Sequence, residues 1–281
     1  MTEFSIPLIK EHRVEKLVDA LKCIDNNPFN REKQRDCIMK LYPDKTEKSI
    51  FRGMIIPSLR HLGLIIGHGS SIRVNVNGKI LIESEKRNFI SRAARAIFLE
   101  IDRKKFHFVQ KLTSLSQSTA REKFVNNTCE LLQHPSEKQK KERVESWLKI
   151  LEDCKLVETK EGTLNLNGEN YEAAIKDLSI DAKRDMFRTI LFDNYKSLPL
   201  HRTAGIIDIT VLREIVATSY CERDMILTEF QFDKLLEDLP TITDNYVISF
   251  GKSMGAEEGL FFYRGNYYRT LSIKFFGERE K

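Results

Sequence analysis

The chain has 281 residues, 41% of them hydrophobic, with a net charge of +5 and a pI near 8.8. That length and apolar content suit two or three modules with real cores and exclude a disordered chain. The basic excess is uneven: residues 1–85 carry 14 Lys/Arg against 11 Asp/Glu, residues 86–176 carry 18 against 13, and residues 177–281 carry 14 against 17. Nonspecific attraction for phosphate therefore belongs to the first two-thirds.

Residues 1–9, with Pro7, predict an extended arm. Val14, Leu17, Val18, Leu21 and Ile24 space a helix that stops at Asp25-Asn26-Asn27-Pro28. A second helix is expected over about 30–41. A third follows the turn at Tyr42-Pro43, capped by Asp44 or Thr46 and broken near Gly53–Ile56 by Pro57. Leu64–Ile66 and Ile72–Val76 read as hairpin strands around Gly67-His68-Gly69-Ser70, with Gly78 turning to a further strand. Residues 86–112 predict a basic helical connector, and helices fill 119–133 and 136–153. Val157–Lys160 and Thr163–Leu166 form a second hairpin. The last stretch predicts a helix through Met186, Ile190, Leu191 and Tyr195. Helices capped by Asp208 or Thr210 and by Thr228 come next, then strands at Tyr246–Phe250, Leu260–Tyr263 and Tyr267–Ile273. Helix followed by hairpin thus occurs three times. The fold class expected is α+β, mostly helical, with tandem winged-helix subdomains: 1–85 with the arm, 86–178 as a helical linker or reduced winged helix, and 179–281.

A winged helix places one helix in a DNA groove and a hairpin beside it. On the third helix, Ile50, Phe51, Met54 and Ile55 share the inner side, leaving Lys45, Lys48, Ser49 and Arg52 outward, donors suited to guanine edges or phosphate. His68, Ser70 and Arg73 add contacts from the hairpin, Arg31 and Lys33 from the second helix, and Lys10, His12 and Arg13 from the arm. In the last module Phe230 and Lys234 are the corresponding outward residues, flanked by Gln231, Asp233 and Glu237, with Lys252 and Ser253 on its hairpin and Arg202 before it. The [D/E]-x-K triplet of metal-dependent nucleases matches at Glu158-Thr159-Lys160, with Asp153 upstream, and also at Asp102 and Asp181. A triplet recurring in a chain that is 31% charged carries little, and no catalytic residue is assigned. There is no HExxH, phosphate loop, GxGxxG or GxSxG, so no metal or cofactor is expected in this chain. Trp147 lies at core spacing.

Cys23, Cys37, Cys129, Cys154 and Cys221 are odd in number and form no CxxC, which reads as reduced thiols of a cytoplasmic protein. No signal-peptide profile or membrane-length apolar run is present, so no membrane partner is expected.

Carried by KTEKSIFRGMIIPSLRHLGLI with its hairpin, the basic connector from Lys86, and ITVLREIVATSY with LTEFQFDKLLEDLP, the layout resembles the recognition regions of restriction endonucleases that separate reading from cutting (the FokI-like layout). The resemblance implies a non-catalytic, monomeric reader of an asymmetric duplex DNA site, with no small-molecule substrate, and Mg²⁺ only in a nuclease domain beyond Lys281. A winged-helix transcription regulator and a protein-interaction scaffold are the alternatives.

Overall fold

The computed structural model describes residues 6–134, 136–199, 205–252 and 259–276, the side chain of Ser70 excepted. The first apolar stripe forms α1 (Val14–Asp25), burying Leu17, Val18, Leu21 and Ile24. α2 (Arg31–Leu41) begins where the Asn30 side chain accepts the Lys33 N–H at 3.1 Å, satisfying a donor the helix leaves open. Cys23 on α1 and Cys37 on α2 are joined in a disulfide, with Cα atoms 5.5 Å apart. This corrects the reading of all five cysteines as reduced. A separation of 14 residues carries no motif, and the packing of α1 on α2 makes the pair. Cys129, Cys154 and Cys221 are free and buried.

Thr46 caps the next helical stretch by accepting the Ser49 N–H at 3.2 Å. A wide π-helical turn, Ser49–Met54, then passes into α3 (Ile55–His61). Pro57 accounts for the join. It offers no N–H to the Gly53 carbonyl, the Ile55 N–H reaches back to Ile50, and Ser58 Oγ takes the Met54 carbonyl at 2.5 Å. β1 (Ile65–Ile66) and β2 (Arg73–Val74) pair antiparallel. The strand expected after Gly78 does not form. Asn75 accepts the Gly78 N–H at 3.1 Å and opens α4 (Val76–Lys86) instead. Gly78 serves packing: a Cβ there would stand 2.4 Å from the Leu64 carbonyl and 2.6 Å from Val74 Cγ1.

The connector is two helices, α5 (Ile90–Lys105) and α6 (Phe108–Ser114). Fully buried Asp102 closes the bend between them, accepting from the Val109 N–H at 2.9 Å, the Phe108 N–H at 3.2 Å and Trp147 Nε1 at 2.7 Å. β3 (Ser118–Ala120), α7 (Arg121–Glu130), α8 (Glu137–Asp153), β4 (Val157–Lys160) and β5 (Thr163–Leu166) follow, in a sheet of order β3-β5-β4. β3 and the next helix, α9 (Gly168–Asp177), are additions to the expected elements.

The last unit repeats that order with α10 (Asp181–Ser197), β6 (Ile207–Asp208), α11 (Ile209–Cys221), α12 (Glu229–Asp238), β7 (Tyr246–Lys252), β8 (Phe261–Tyr263) and β9 (Asn266–Phe275). Its sheet is ordered β6-β9-β7, with β8 also on β9. In both sheets the strand before the second helix pairs with the last strand of the hairpin. Asp208 and Thr228 cap α11 and α12 as expected. One buried cluster joins the helices from α1 to α9, together with Ala217 and Cys221 of α11, around Leu21, Leu59, Phe98 and Trp147. A second, around Phe187, Leu212, Phe232 and Leu271, belongs to the last unit. The molecule is α+β and mostly helical.

Candidate nucleic-acid interface

A cleft of about 630 Å³ opens between the start of α2, the π turn with α3, and the β1–β2 loop. Arg31, Lys48, Arg52 and His68 line it, all exposed, together with half-buried Arg60 and a single carboxylate, Glu47. Four of the residues singled out in the sequence are thus brought together. Among the described residues, none of Arg31, Lys48 and Arg52 is in an ion pair. Arg60, which the helical wheel missed, is the most fixed. Its Nη2 donates to the Gly67 carbonyl at 2.9 Å, and its buried Nε has no hydrogen-bond partner. The π turn separates Arg52 from Arg60, so a constant angle per residue misplaces one against the other.

Local structure holds this cleft open. Gln34 Nε2 donates to the Asn27 and Ile72 carbonyls, at 2.9 and 3.2 Å, tying α2 to the hairpin. Gly67 has a φ of +84°, and a Cβ there would lie 2.3 Å from the Ser71 carbonyl oxygen, so the turn that presents His68 needs glycine. Cations that are exposed, convergent and unpaired are what a polyanion neutralises, while the Arg60 Nε is a donor lacking an acceptor. Lys33 and Lys45 are exposed outside the lining, and Ser49 is half-buried with its N–H held by Thr46.

The arm differs from expectation. Ile6, Ile9 and Glu11 are buried, the Lys10 and Glu11 N–H groups donate to Ser58 Oγ at 3.1 and 3.3 Å, and Arg143 Nη1 donates to the Ile6 carbonyl at 2.6 Å. Residues 6–13 are a strap between α3 and α8, because Ile6 and Ile9 seat in the core. Arg13 is turned onto Glu11, with Nη2 and Oε2 3.0 Å apart, and His12 is half-buried. Lys10 stays exposed. Burial raises the Glu11 carboxyl, but its bonds from Arg13 and Tyr42 outweigh that and hold it below its ordinary value.

Arg73 is also corrected. It reaches the last unit, donating from Nη2 to Thr210 Oγ1 at 2.9 Å, and so joins two parts of the protein. Arg202 and Ser253 lie outside the described residues, as does the Ser70 side chain. Lys252 is exposed at the end of β7.

On α12 Phe230 and Lys234 are exposed, whereas Gln231 and Asp233 are not free to face a duplex, because the first turn is packed against the rest of the chain. Thr228 Oγ1 donates to Glu100 on α5 at 2.9 Å, and the Glu229 N–H donates to Asn77 on α4 at 3.2 Å. Gln231 is 1% exposed and spends its side chain on the Thr228 N–H and the Asp177 carbonyl. Asp233 receives two bonds of 2.8 Å from Arg213, itself fully buried. Burial pushes the Asp233 carboxyl up to about 7 against the pull of Arg213. Phe230 lies beneath Lys104, with Nζ 3.5 Å from the ring centroid, and Lys234 pairs with Glu237 at 2.7 Å. The signal for this burial was in the sequence: Thr228 and Gln231 are spaced as a capping box.

The nuclease triplets do not assemble. Glu158 pairs with Lys160 at 2.7 Å, Asp153 accepts the Val14 N–H at 2.7 Å, and no group of three metal-capable side chains occurs among the described residues. Nor is any helix among them long and apolar enough to cross a membrane. Comparison with protein-family models, curated proteins and solved structures finds no match to this chain.

Proposed function

We propose that this chain reads duplex DNA through the cleft of its first unit. The observation that carries the reading is the convergence there of Arg31, Lys48, Arg52 and the unpartnered Nε of Arg60, between a helix and a hairpin. A duplex supplies what these groups lack: phosphate oxygens for the rim and, in the major groove, base-edge acceptors for Arg52 and Lys48. In this reading the order of helices, edge strand and hairpin is that of winged helices, divided at residues 1–85, 86–178 and 179–281, the first without its edge strand. The layout supports a non-catalytic recognition region of a type IIS-like restriction endonuclease. One open cleft on a monomer suits an asymmetric target, since two-fold sites call for two-fold readers.

The test is selection from a pool of random duplexes at moderate salt with Mg²⁺ present. Enrichment of one asymmetric motif, uncut, and lost by Arg52→Gln, is expected. No enrichment overturns the reading, and cleavage of the retained DNA overturns its non-catalytic part.

A further inference from the structure

The strap of residues 6–13 leaves a second group of cations without a role. It joins α8 to α3: the Ile9 N–H bonds Ser146 Oγ at 3.3 Å, and the next two N–H groups bond Ser58. His61 stands one turn beyond Ser58, exposed at the end of α3. Phe106 packs edge-on against Trp147 of α8, with ring centroids 4.7 Å apart, which sets the end of α5, with Lys105, against the helix that carries Arg143 one turn before Trp147. Lys105 is exposed and has no ion pair among the described residues, while Arg143 uses Nη1 on the Ile6 carbonyl. The electrostatics agree. Burial and the positive charges of Arg60, Lys105 and Arg143 hold His61 below the usual histidine range. Arg60 belongs to both groups: it lines the cleft and precedes His61.

Resting on the DNA reading above, we infer that the seam of Lys105, Arg143 and His61 is a separate binding site for the sugar-phosphate backbone, which carries a duplex from the first unit across to α8. Its contacts are to phosphate, so it adds affinity at any sequence and leaves base preference to the cleft. An exposed lysine on a connector reads as solvation in the sequence. Only the packing of Phe106 on Trp147 sets it beside α8.

The test measures the affinity of a labelled duplex across a range of salt for three proteins: the unaltered chain, Lys105→Gln/Arg143→Gln, and Lys48→Gln/Arg52→Gln. Trp147 emission, with the side chain fully buried beside Phe106, checks that the seam variant keeps its fold, and Lys105→Gln alone leaves the Ile6 contact untouched. Each lost phosphate contact lowers the slope of log K against log salt by about 0.9. The seam variant is expected to lose close to two such steps and the single variant one, equally for selected and random duplexes. An unchanged slope in both, with Lys48→Gln/Arg52→Gln impaired, overturns the seam site and spares the cleft. Failure of the unaltered protein to bind any duplex overturns both.

Discussion

Replacing Arg213 by methionine is the sharpest perturbation of the last unit. The guanidinium is fully buried and makes four bonds: Nε and Nη2 to Asp233 at 2.8 Å each, and Nη1 to Glu229 at 3.1 Å and to the Gly259 carbonyl at 2.6 Å. Methionine fills much of the volume and leaves two carboxylates facing a low-dielectric pocket. Removing one partner of a buried pair costs about 3–5 kcal/mol. Asp233 and Glu229 keep 27% and 31% of their side-chain surface in water. Solvent therefore relieves part of that, giving an expected loss of about 2–4 kcal/mol. The cost shrinks as the pH is lowered. Burial already pushes Asp233 up to about 7, so without Arg213 it takes a proton instead of standing as a bare charge. Urea unfolding checks this with two signals: far-UV circular dichroism for the helices and the emission of Trp147, the single tryptophan, for the core around α5 and α8. The variant's last unit should unfold first, ahead of the Trp147 signal. Arg213→Met/Asp233→Leu should recover more than half of that loss, since an apolar pair replaces the Asp233 ion pair while Glu229 still lacks its cation. A loss below about 1 kcal/mol for the single variant, or a double variant that loses the sum of both singles, refutes the reasoning.

Gly78→Ala forces a Cβ to 2.4 Å from the Leu64 carbonyl. It should lower stability by about 1–3 kcal/mol in thermal unfolding, and an unchanged melting temperature would show that α4 does not need the close approach. Asp102→Ala strips Trp147 Nε1 and two backbone N–H groups of their acceptor. It should cost about 2–4 kcal/mol and shift the Trp147 emission. Burial raises Glu214 on α11 to about 7, above its ordinary 4.5, despite Lys79 and Arg73. A carboxyl whose folded pKa is raised contributes stability that is complete below 4.5 and lost as pH climbs through about 7. Glu214→Gln should therefore stabilise by about 1–3 kcal/mol near pH 8 and change little near pH 4.5, a difference read from melting temperatures at the two values. Gln231→Ala should weaken folding by about 1 kcal/mol or more without altering base preference in the duplex selection; a changed preference would return α12 to the DNA.

Local chemistry was legible where it acts within a few residues. Pro57 foretold the break before α3, Thr46, Asp208 and Thr228 foretold caps, the turn at Glu161-Gly162 foretold the β4–β5 hairpin, and alternation foretold β7 and β9. What failed depended on partners far along the chain. Gly78 is flanked by hairpin residues and looks like a turn, yet its missing side chain faces Leu64 and Val74 from inside a helix. Gln231 looks outward on a wheel drawn for α12 alone, but Asp177, which accepts its bond, lies 54 residues away. The cleft was half legible for the same reason. Lys48 and Arg52 stand out as polar positions on an apolar helix, while Arg60 joins them only because the π turn resets its angle.

Repetition of the helix–hairpin order does not repeat the open cleft. In the first unit the third helix faces an open cleft. In the middle one its equivalent, α8, is bound by the strap through Arg143 and Ser146. In the last, the leading turn of α12 is closed by Asn77, Glu100 and Asp177. Freeing α12 would strand Thr228, Gln231 and Glu100, all buried, each at about 1–3 kcal/mol if left unpaired. A duplex would have to repay all of that before gaining any contact, and it would bring its phosphates to the most acidic third of the chain. The cheaper arrangement leaves α12 where it is. The last unit then braces α4 and α5, and through them the cleft and the seam, in one fixed relation.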